Sequence, residues 1–307
     1  MLSVILPCYN EEKMIALAAK VIVGVLSQEK IAYELIFVDD GSKDATWEEI
    51  QKLSMESSFV VGIHFSRNFG KEAAMFAGLQ YARGDCCAIL DCDLQHPPEK
   101  LVEMYHLWKA GYEVVEGIKE DRGEESRLHR FAANSFYTLI SKATGMDMSD
   151  ASDFKLLDRK VVDTLNQLPE RAVFFRALSF WVGYKKTSVT YRVQERAAGE
   201  SKWSAWSLIL YALRNIISFS SAPLHIVTIL GTLMLAVAMI FGVISLYQKI
   251  IGVALNGFTT VILLVLFSSS IIMISLGVIG YYIARIYDEI KGRPRYLVSH
   301  VCGKKYE

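Results

Sequence analysis

The chain has 307 residues, enough for one sizeable domain and a smaller part. Its 33 Lys and Arg balance 33 Asp and Glu, so no net field argues for nucleic acid or for an acidic partner. Hydrophobic residues make up 52%, more than an ordinary soluble domain carries, and the excess lies after residue 204.

Met1 leads directly into a strand at residues 2–6, without the basic segment and cleavage site of an export signal. Ser3 to Leu6 reads as a buried strand stopped by Pro7 and followed by Cys8-Tyr9-Asn10-Glu11-Glu12. Asn10 is placed to cap a helix that carries Ile15, Leu17, Ala18, Val21, Ile22 and Val25. A second strand over 34–38 runs into Asp39-Asp40-Gly41-Ser42, and Thr46-x-x-Glu49 has the form of a capping box for the next helix. Residues 59–65 form a third strand, 72–83 a helix and 86–90 a fourth strand.

The fourth strand ends in Asp91-Cys92-Asp93-Leu94-Gln95-His96-Pro97-Pro98. Two carboxylates one residue apart at the rim of a buried sheet need a partner, and a divalent cation with hard oxygen ligands is the simplest one. The competing reading is a polar turn whose Asp residues cap the helix starting near Pro98. Strands alternating with helices predict a mostly parallel α/β sheet, which binds ligands at the carboxyl ends of its strands. Pro7, Tyr9, Glu11, Asp39, Asp40, Asp91 and Asp93 all fall at such ends. No Gly-x-Gly-x-x-Gly follows the first strand and no Walker-type loop is present, so neither device reads phosphates here. Asp39 and Asp40 fit hydrogen bonding to a base or ribose, or the start of an Asp-Gly turn.

Residues 117–134 are polar, of both charge signs and without apolar periodicity, which predicts a mobile loop. Its Arg122, Arg127 and Arg130 suit a phosphate, whereas the interspersed Glu120, Asp121, Glu124 and Glu125 suit a solvated face. Residues 132–143 have a helical pattern, and Asp153 precedes a short apolar segment as a turn residue does. Residues 171–181 carry aromatics at helical spacing and read as core or membrane-facing surface, and 185–193 alternate as an edge strand. The five cysteines show neither Cys-x-x-Cys spacing nor a disulfide framework, which predicts a reduced compartment and no zinc site.

Trp203 and Trp206 flank the start of an apolar stretch, so 205–220 reads as an interfacial helix or as ordinary domain packing. Residues 224–247 and 258–284 are uncharged runs long enough to cross a bilayer core of roughly 30 Å. Only Lys249 lies between them, whereas Arg285, Lys291, Arg293, Arg295, Lys304 and Lys305 follow, so both termini are expected in the cytoplasm. The expected layout is a cytoplasmic domain over 1–204, an interfacial helix over 205–220, a transmembrane hairpin over 221–285 and a basic tail over 286–307. Gly231, Gly242, Ser268, Ser269, Ser270 and Gly277 leave room for close helix packing, so a homo-oligomer is expected, a tetramer being one of the options.

Taken together, six segments resemble the family 2 glycosyltransferases, most closely their polyprenyl-phosphate branch of GtrB-type bactoprenol glucosyltransferases and dolichol-phosphate mannose synthases. They are Leu6-Pro7-Cys8-Tyr9-Asn10-Glu11, Val38-Asp39-Asp40-Gly41-Ser42-x-Asp44-x-Thr46, Arg67-Asn68-Phe69-Gly70-Lys71, Asp91-x-Asp93-Leu94-Gln95-x-Pro97-Pro98-Glu99, Ser152-Asp153-Phe154 and Arg196-x-x-Gly199-x-Ser201-Lys202. Each alone is weak, and six in family order are specific. One departure is His96, where an acidic residue is usual; tuning of the site is expected from it rather than loss.

The resemblance implies a GT-A Rossmann-like fold, a nucleotide-sugar donor, a polyprenyl-phosphate acceptor and an inverting transfer dependent on Mg²⁺ or Mn²⁺. It implies that Asp91, Asp93 and Gln95 hold the metal, with Pro7, Tyr9, Glu11, Asp39, Asp40 and Asp91 around the nucleotide. It places Arg122, Arg127, Arg130, Ser135 and Lys202 at the acceptor phosphate, and Arg196 beside phosphate or over the site. Asp93, Arg122, Arg130, Arg196 and Asp153 form the implied catalytic set, with Asp153 as general base or as an orienting and electrostatic group. The two-helix tail favours UDP-glucose as donor; GDP-mannose, UDP-N-acetylglucosamine and UDP-aminoarabinose are alternatives. The implied location is the bacterial inner membrane, modifying a cell-surface glycan such as lipopolysaccharide. A processive polysaccharide synthase lacks support because no Gln-x-x-Arg-Trp segment is present. A non-catalytic membrane anchor is disfavoured by intact Asp91 and Asp93.

Overall fold

The computed structural model describes residues 1–120, 152–170, 174–192, 222–252 and 257–303. The chain divides into two compact units, one made of residues 1–204 with 294–307 and the other of residues 205–293.

The first unit is built on an eight-stranded sheet. In chain order its elements are β1 (Leu2–Cys8), α1 (Ile15–Gln28), β2 (Tyr33–Asp39), α2 (Thr46–Glu56), β3 (Val60–Phe65), α3 (Lys71–Tyr81), β4 (Cys86–Ile89) and α4 (Lys100–Lys109). There follow β5 (Val114–Lys119), β6 (Lys155–Asp158), α5 (Arg159–Gln167), α6 (Phe175–Trp181), β7 (Lys186–Tyr191) and, after the second unit, β8 (Val298–Cys302). The strand order is β7-β5-β6-β4-β1-β2-β3-β8. β4, β1, β2 and β3 run parallel, as do β5 and β7, while β6 and β8 run against their neighbours. The expected mostly parallel sheet is therefore what forms, with β7 as the expected edge strand.

The central strands are apolar on both faces because helices cover both. Leu2, Val4, Ile5 and Leu6 of β1 and Leu35, Ile36, Phe37 and Val38 of β2 are all fully buried. α3 lies close on β1: a Cβ at Gly78 would stand 2.2 Å from the Ile5 side chain, so only glycine lets the helix approach this far.

Two local expectations are corrected. Asn10 does not cap α1, which starts at Ile15 with no side-chain cap. It adopts φ +55°, and its side-chain oxygen accepts from the Lys43 backbone N–H at 2.9 Å. Thr46 is the first residue of α2 rather than its cap: Asp44 accepts from both its N–H and its hydroxyl, at 3.1 and 2.6 Å. Both side chains serve loop-to-loop bonds, which a capping pattern confined to one helix does not register.

The second unit contains α7 (Ala222–Ile250) and α8 (Phe258–Ile290), each with a window long and apolar enough to cross a membrane, Val227–Ile244 and Phe267–Ile290. α8 runs past the expected end of the hairpin at residue 285. Within the expected tail over 286–307, Val298–Cys302 forms β8, antiparallel to β3 with Ile63 opposite Val301 and His64 opposite His300. An unpaired β3 edge would leave backbone donors and acceptors open, and β8 satisfies them. The expected interfacial helix at 205–220 lies outside the described residues.

Candidate active site

Register decides which side chains meet. β1, β2 and β4 are parallel, with Cys8 opposite Asp39 and Ile5 opposite Ile89, so Tyr9, Asp40 and Asp91 leave the sheet at one edge. β6 runs the other way, with Ile89 opposite Lys155, so its start brings Asp153 to that edge too. α3 begins there after β3 and presents Lys71.

The loops after β1 and β2 are fastened to each other. The N–H of Asn10 donates to the Ser42 hydroxyl at 2.9 Å, that of Glu11 to the Thr46 hydroxyl at 2.8 Å, and that of Ala45 to the Glu12 carboxylate at 3.1 Å. Asp39 is fully buried, accepting from the Ser42 N–H at 3.0 Å and lying 2.7 Å from His64 Nδ1. Asp40, also buried, accepts from the N–H groups of Phe69 and Gly70 at 2.6 and 2.8 Å. Burial pushes the Asp40 carboxyl up from its ordinary value. Gly41 has φ +67°, and a Cβ there would meet the Arg67 carbonyl carbon at 2.4 Å. Two loops and the entry to α3 are thus locked together, with Tyr9 exposed above them.

Beside this wall lies a chain of alternating charges. Lys71 Nζ is 2.6 Å from Asp91 Oδ1 and 3.2 Å from Asp153 Oδ2. Arg176 donates through Nε to Asp153 Oδ1 at 2.7 Å and through Nη2 to Oδ2 at 2.9 Å. Burial opposes the charge on Asp153, but Arg176 and Lys71 outweigh it and hold the carboxyl well below the usual carboxylate range. Burial likewise disfavours the Lys71 ammonium, and Asp91 and Asp153 reverse that, pushing it above the ordinary lysine value. Glu72 accepts from the Phe175 N–H at 2.6 Å and so fixes the start of α6, which carries Arg176. From below, Glu116 accepts from the Ser152 N–H at 3.1 Å and pairs with the buried Lys155 at 2.8 Å.

Asp93 and Gln95 sit on a tight turn in which Leu94 adopts φ +57° and the Gln95 N–H donates to Asp93 Oδ1 at 3.1 Å. His96 stacks on Phe154 at 4.9 Å between ring centres. Its Nδ1 is buried without a hydrogen-bond partner, 3.9 Å from Asp91 Oδ2. Burial lowers the His96 pKa from its ordinary value, against the pull of Asp91. Asp91, Asp93 and Gln95 offer hard oxygen donors, and the orphaned nitrogen marks a polar space at Asp91, so these residues fit a divalent cation. Among the described residues no three His, Cys, Asp or Glu side chains converge on one point. Such a site suits a small, hard divalent cation that takes one or two carboxylates and fills its remaining positions with phosphate oxygens and water.

The structure brings Asp91 and Asp153 into one cluster through Lys71, with Asp39 and Asp40 at the same edge. Arg122, Arg127, Arg130, Ser135, Arg196 and Lys202 lie outside the described residues, although β5 and β7, whose ends precede them, pair in register up to Lys119 and Tyr191. Sequence reasoning gave no role to Lys71, Glu72 or Arg176. Lys71 closes the Arg67-to-Lys71 segment, and Arg176 is the charge inside the aromatic run 174–181; those were the available signals.

Residues 3–165, more than half of the chain, match glycosyl transferase family 2. An uncharacterized glycosyltransferase of Synechocystis is 38% identical over 99% of this chain and 96% of its own length. A prophage bactoprenol glucosyl transferase homolog of Escherichia coli is 38% identical over 98% of this chain and 99% of its own. The bactoprenol glucosyl transferase of Shigella phage SfII is 36% identical, covering 97% of each chain. A strand-edge acid cluster on a mostly parallel sheet and these near-full-length relatives agree: the chain belongs to glycosyltransferase family 2 and is a glycosyltransferase.

Proposed function

We propose that this protein transfers a hexose, with inversion, from a nucleotide-diphosphate sugar to a polyprenyl phosphate at the cytoplasmic face of a bacterial inner membrane. Relatives named bactoprenol glucosyl transferases support glucose as the sugar transferred, and UDP-glucose is the donor proposed to carry it. The observation that carries the reading is the Asp91–Lys71–Asp153–Arg176 charge chain at the carboxyl edge of the sheet. Two helices long and apolar enough to span a bilayer support a membrane-held acceptor.

In this reading Pro7, Tyr9, Glu11, Asp39 and Asp40 face the nucleoside, and their fastened loops give it a preformed wall. Asp91, Asp93 and Gln95 hold Mg²⁺ or Mn²⁺. A divalent cation held by these three residues would supply positive charge to the diphosphate leaving group. A phosphate monoester has a second pKa near 6, so at neutral pH the acceptor oxygen is already ionised and attacks the anomeric carbon without a general base. Asp153 is poorly suited to be one, because both of its oxygens are engaged by cations and its carboxyl is strongly acidic. Its task is to orient the sugar or acceptor and to stabilise positive charge developing at the anomeric carbon. Arg122, Arg127, Arg130, Ser135, Arg196 and Lys202 provide the phosphate contacts.

Membranes containing the protein, given radiolabelled UDP-glucose, GDP-mannose, UDP-N-acetylglucosamine or UDP-aminoarabinose, should place label in the lipid extract from UDP-glucose. EDTA should abolish it and Mg²⁺ or Mn²⁺ should restore it. No lipid-linked label from any donor would refute the transfer, and label from another donor would replace the sugar.

A further inference from the structure

Lys71 sits where its charge needs explaining. Its side chain is 42% exposed, yet the ammonium end turns inward to Asp91 Oδ1 at 2.6 Å and Asp153 Oδ2 at 3.2 Å. Lysine is a strongly hydrated point charge on a flexible stem, so solvent is its default direction. Asp153 already has a bidentate partner in Arg176, whereas Asp91 has only the more distant His96 Nδ1, at 3.9 Å and without a hydrogen bond. The ammonium therefore acts chiefly on Asp91. Without it, a half-buried carboxylate would stand beside Asp93 and close to Asp153 with no positive charge in direct contact.

We infer that Lys71 is a resident counter-ion that holds Asp91 until a divalent cation arrives, and that the ion must displace the ammonium to bind there. The inference rests on the reading of Asp91 as a metal ligand. One cation is exchanged for another at the same oxygen, so the site keeps its carboxylates ordered when empty and discriminates against metal that arrives without a diphosphate. An ion accompanied by a nucleoside diphosphate brings acceptors for the released ammonium; an ion alone does not. Lys71 is thus a positioning residue that sets how strongly metal binding depends on the nucleotide.

The test is Mn²⁺ binding by the full chain in detergent, followed by electron paramagnetic resonance, with Mn²⁺ alone and with Mn²⁺ plus UDP. Lys71→Met and the milder Lys71→Gln should bind Mn²⁺ alone about tenfold tighter than the parent, because a charge competing at contact distance is removed. With UDP the gain should shrink, and Lys71→Arg, which keeps the charge, should stay near the parent. A purely structural lysine would give the opposite sign, since a loosened site binds metal more weakly. Unchanged or weaker Mn²⁺ binding in both neutral variants, while Asp91→Asn abolishes it in the parent background, would overturn the counter-ion and leave the metal site standing. Parent affinity retained in Asp91→Asn would instead remove the metal site itself, and the inference with it.

Discussion

Arg176 of α6 holds Asp153, two residues ahead of β6, through both carboxylate oxygens, a two-point grip at 2.7 and 2.9 Å. A planar guanidinium matches a carboxylate in this way and an ammonium does not. If the grip orients Asp153 for the transfer, Arg176→Lys should lower kcat by about 10- to 100-fold, the range that misplacement of a reacting group costs. Asp153→Asn should also lower kcat, with the donor KM within a few-fold of the parent in both variants. Steady-state kinetics with varied donor checks this. Full activity in Asp153→Asn would take that residue out of the chemistry.

The support beneath Arg176 titrates. Burial pushes Glu72 up to about 7 from an ordinary 4.5, against the opposing pull of the Phe175 N–H. The folded state therefore binds a proton more tightly than the unfolded state. Between about 4.5 and 7 stability falls as pH rises, because ionising Glu72 in its enclosed position is costlier than in the unfolded chain. The difference amounts to at most about 3 kcal/mol. Glu72→Gln should remove this slope. Thermal melts of the two proteins in the same detergent should show the parent losing ground to the variant from pH 5 to pH 7.5, and parallel melting profiles would refute it.

How far the site was legible follows from what is local. Pro7, Asp39 and Asp91 end continuous apolar runs, so their places at strand tips follow from pattern alone, and parallel pairing carries them to one edge. Asp153 is different: it reaches Asp91 only because β6 pairs antiparallel with β4, a register that a turn-like Ser-Asp pattern does not contain. The resemblance supplied it instead. Arg176 was hidden by its aromatic neighbours, several of which are core, as expected for that run. Asn10 and Thr46 satisfied a helix-capping pattern but bond across two loops. β8 has no periodicity that separates it from a charged tail, and only the open edge of β3, far away in sequence, gives it a partner.

The buried pair under the site makes a sharper test of electrostatics than any surface ion pair. Lys155 is fully buried, donating to the Ser179 hydroxyl at 2.7 Å and pairing with Glu116, which also holds the Ser152 N–H. Burial lowers the Lys155 pKa and Glu116 works against that shift. Lys155→Met leaves the Glu116 charge without its partner and should cost about 3 to 5 kcal/mol. The double variant Lys155→Met with Glu116→Gln should recover part of that loss in thermal stability. Activity should recover less, because the hold on Ser152, next to Asp153, is weakened by loss of the carboxylate charge.

The strand that returns to the sheet after α8 carries the last prediction. β8 pairs along β3, the Ser66 N–H donates to the Leu297 carbonyl at 3.0 Å, and Tyr296 stacks on Phe65 with ring centres 4.9 Å apart. His300 lies 5.9 Å from His64, which stacks on Trp47 at 5.0 Å and contacts Asp39. Deleting residues 294–307 should therefore do two separable things. It should expose the β3 edge and promote self-association in detergent, as open edges do. It should also loosen His64 and hence Asp39, raising the donor KM more than it lowers kcat. His300→Ala keeps the β8 backbone and should show the KM effect without the association. If the truncated chain keeps the parent KM and stays monodisperse by light scattering, β8 is dispensable to both the edge and the nucleoside wall.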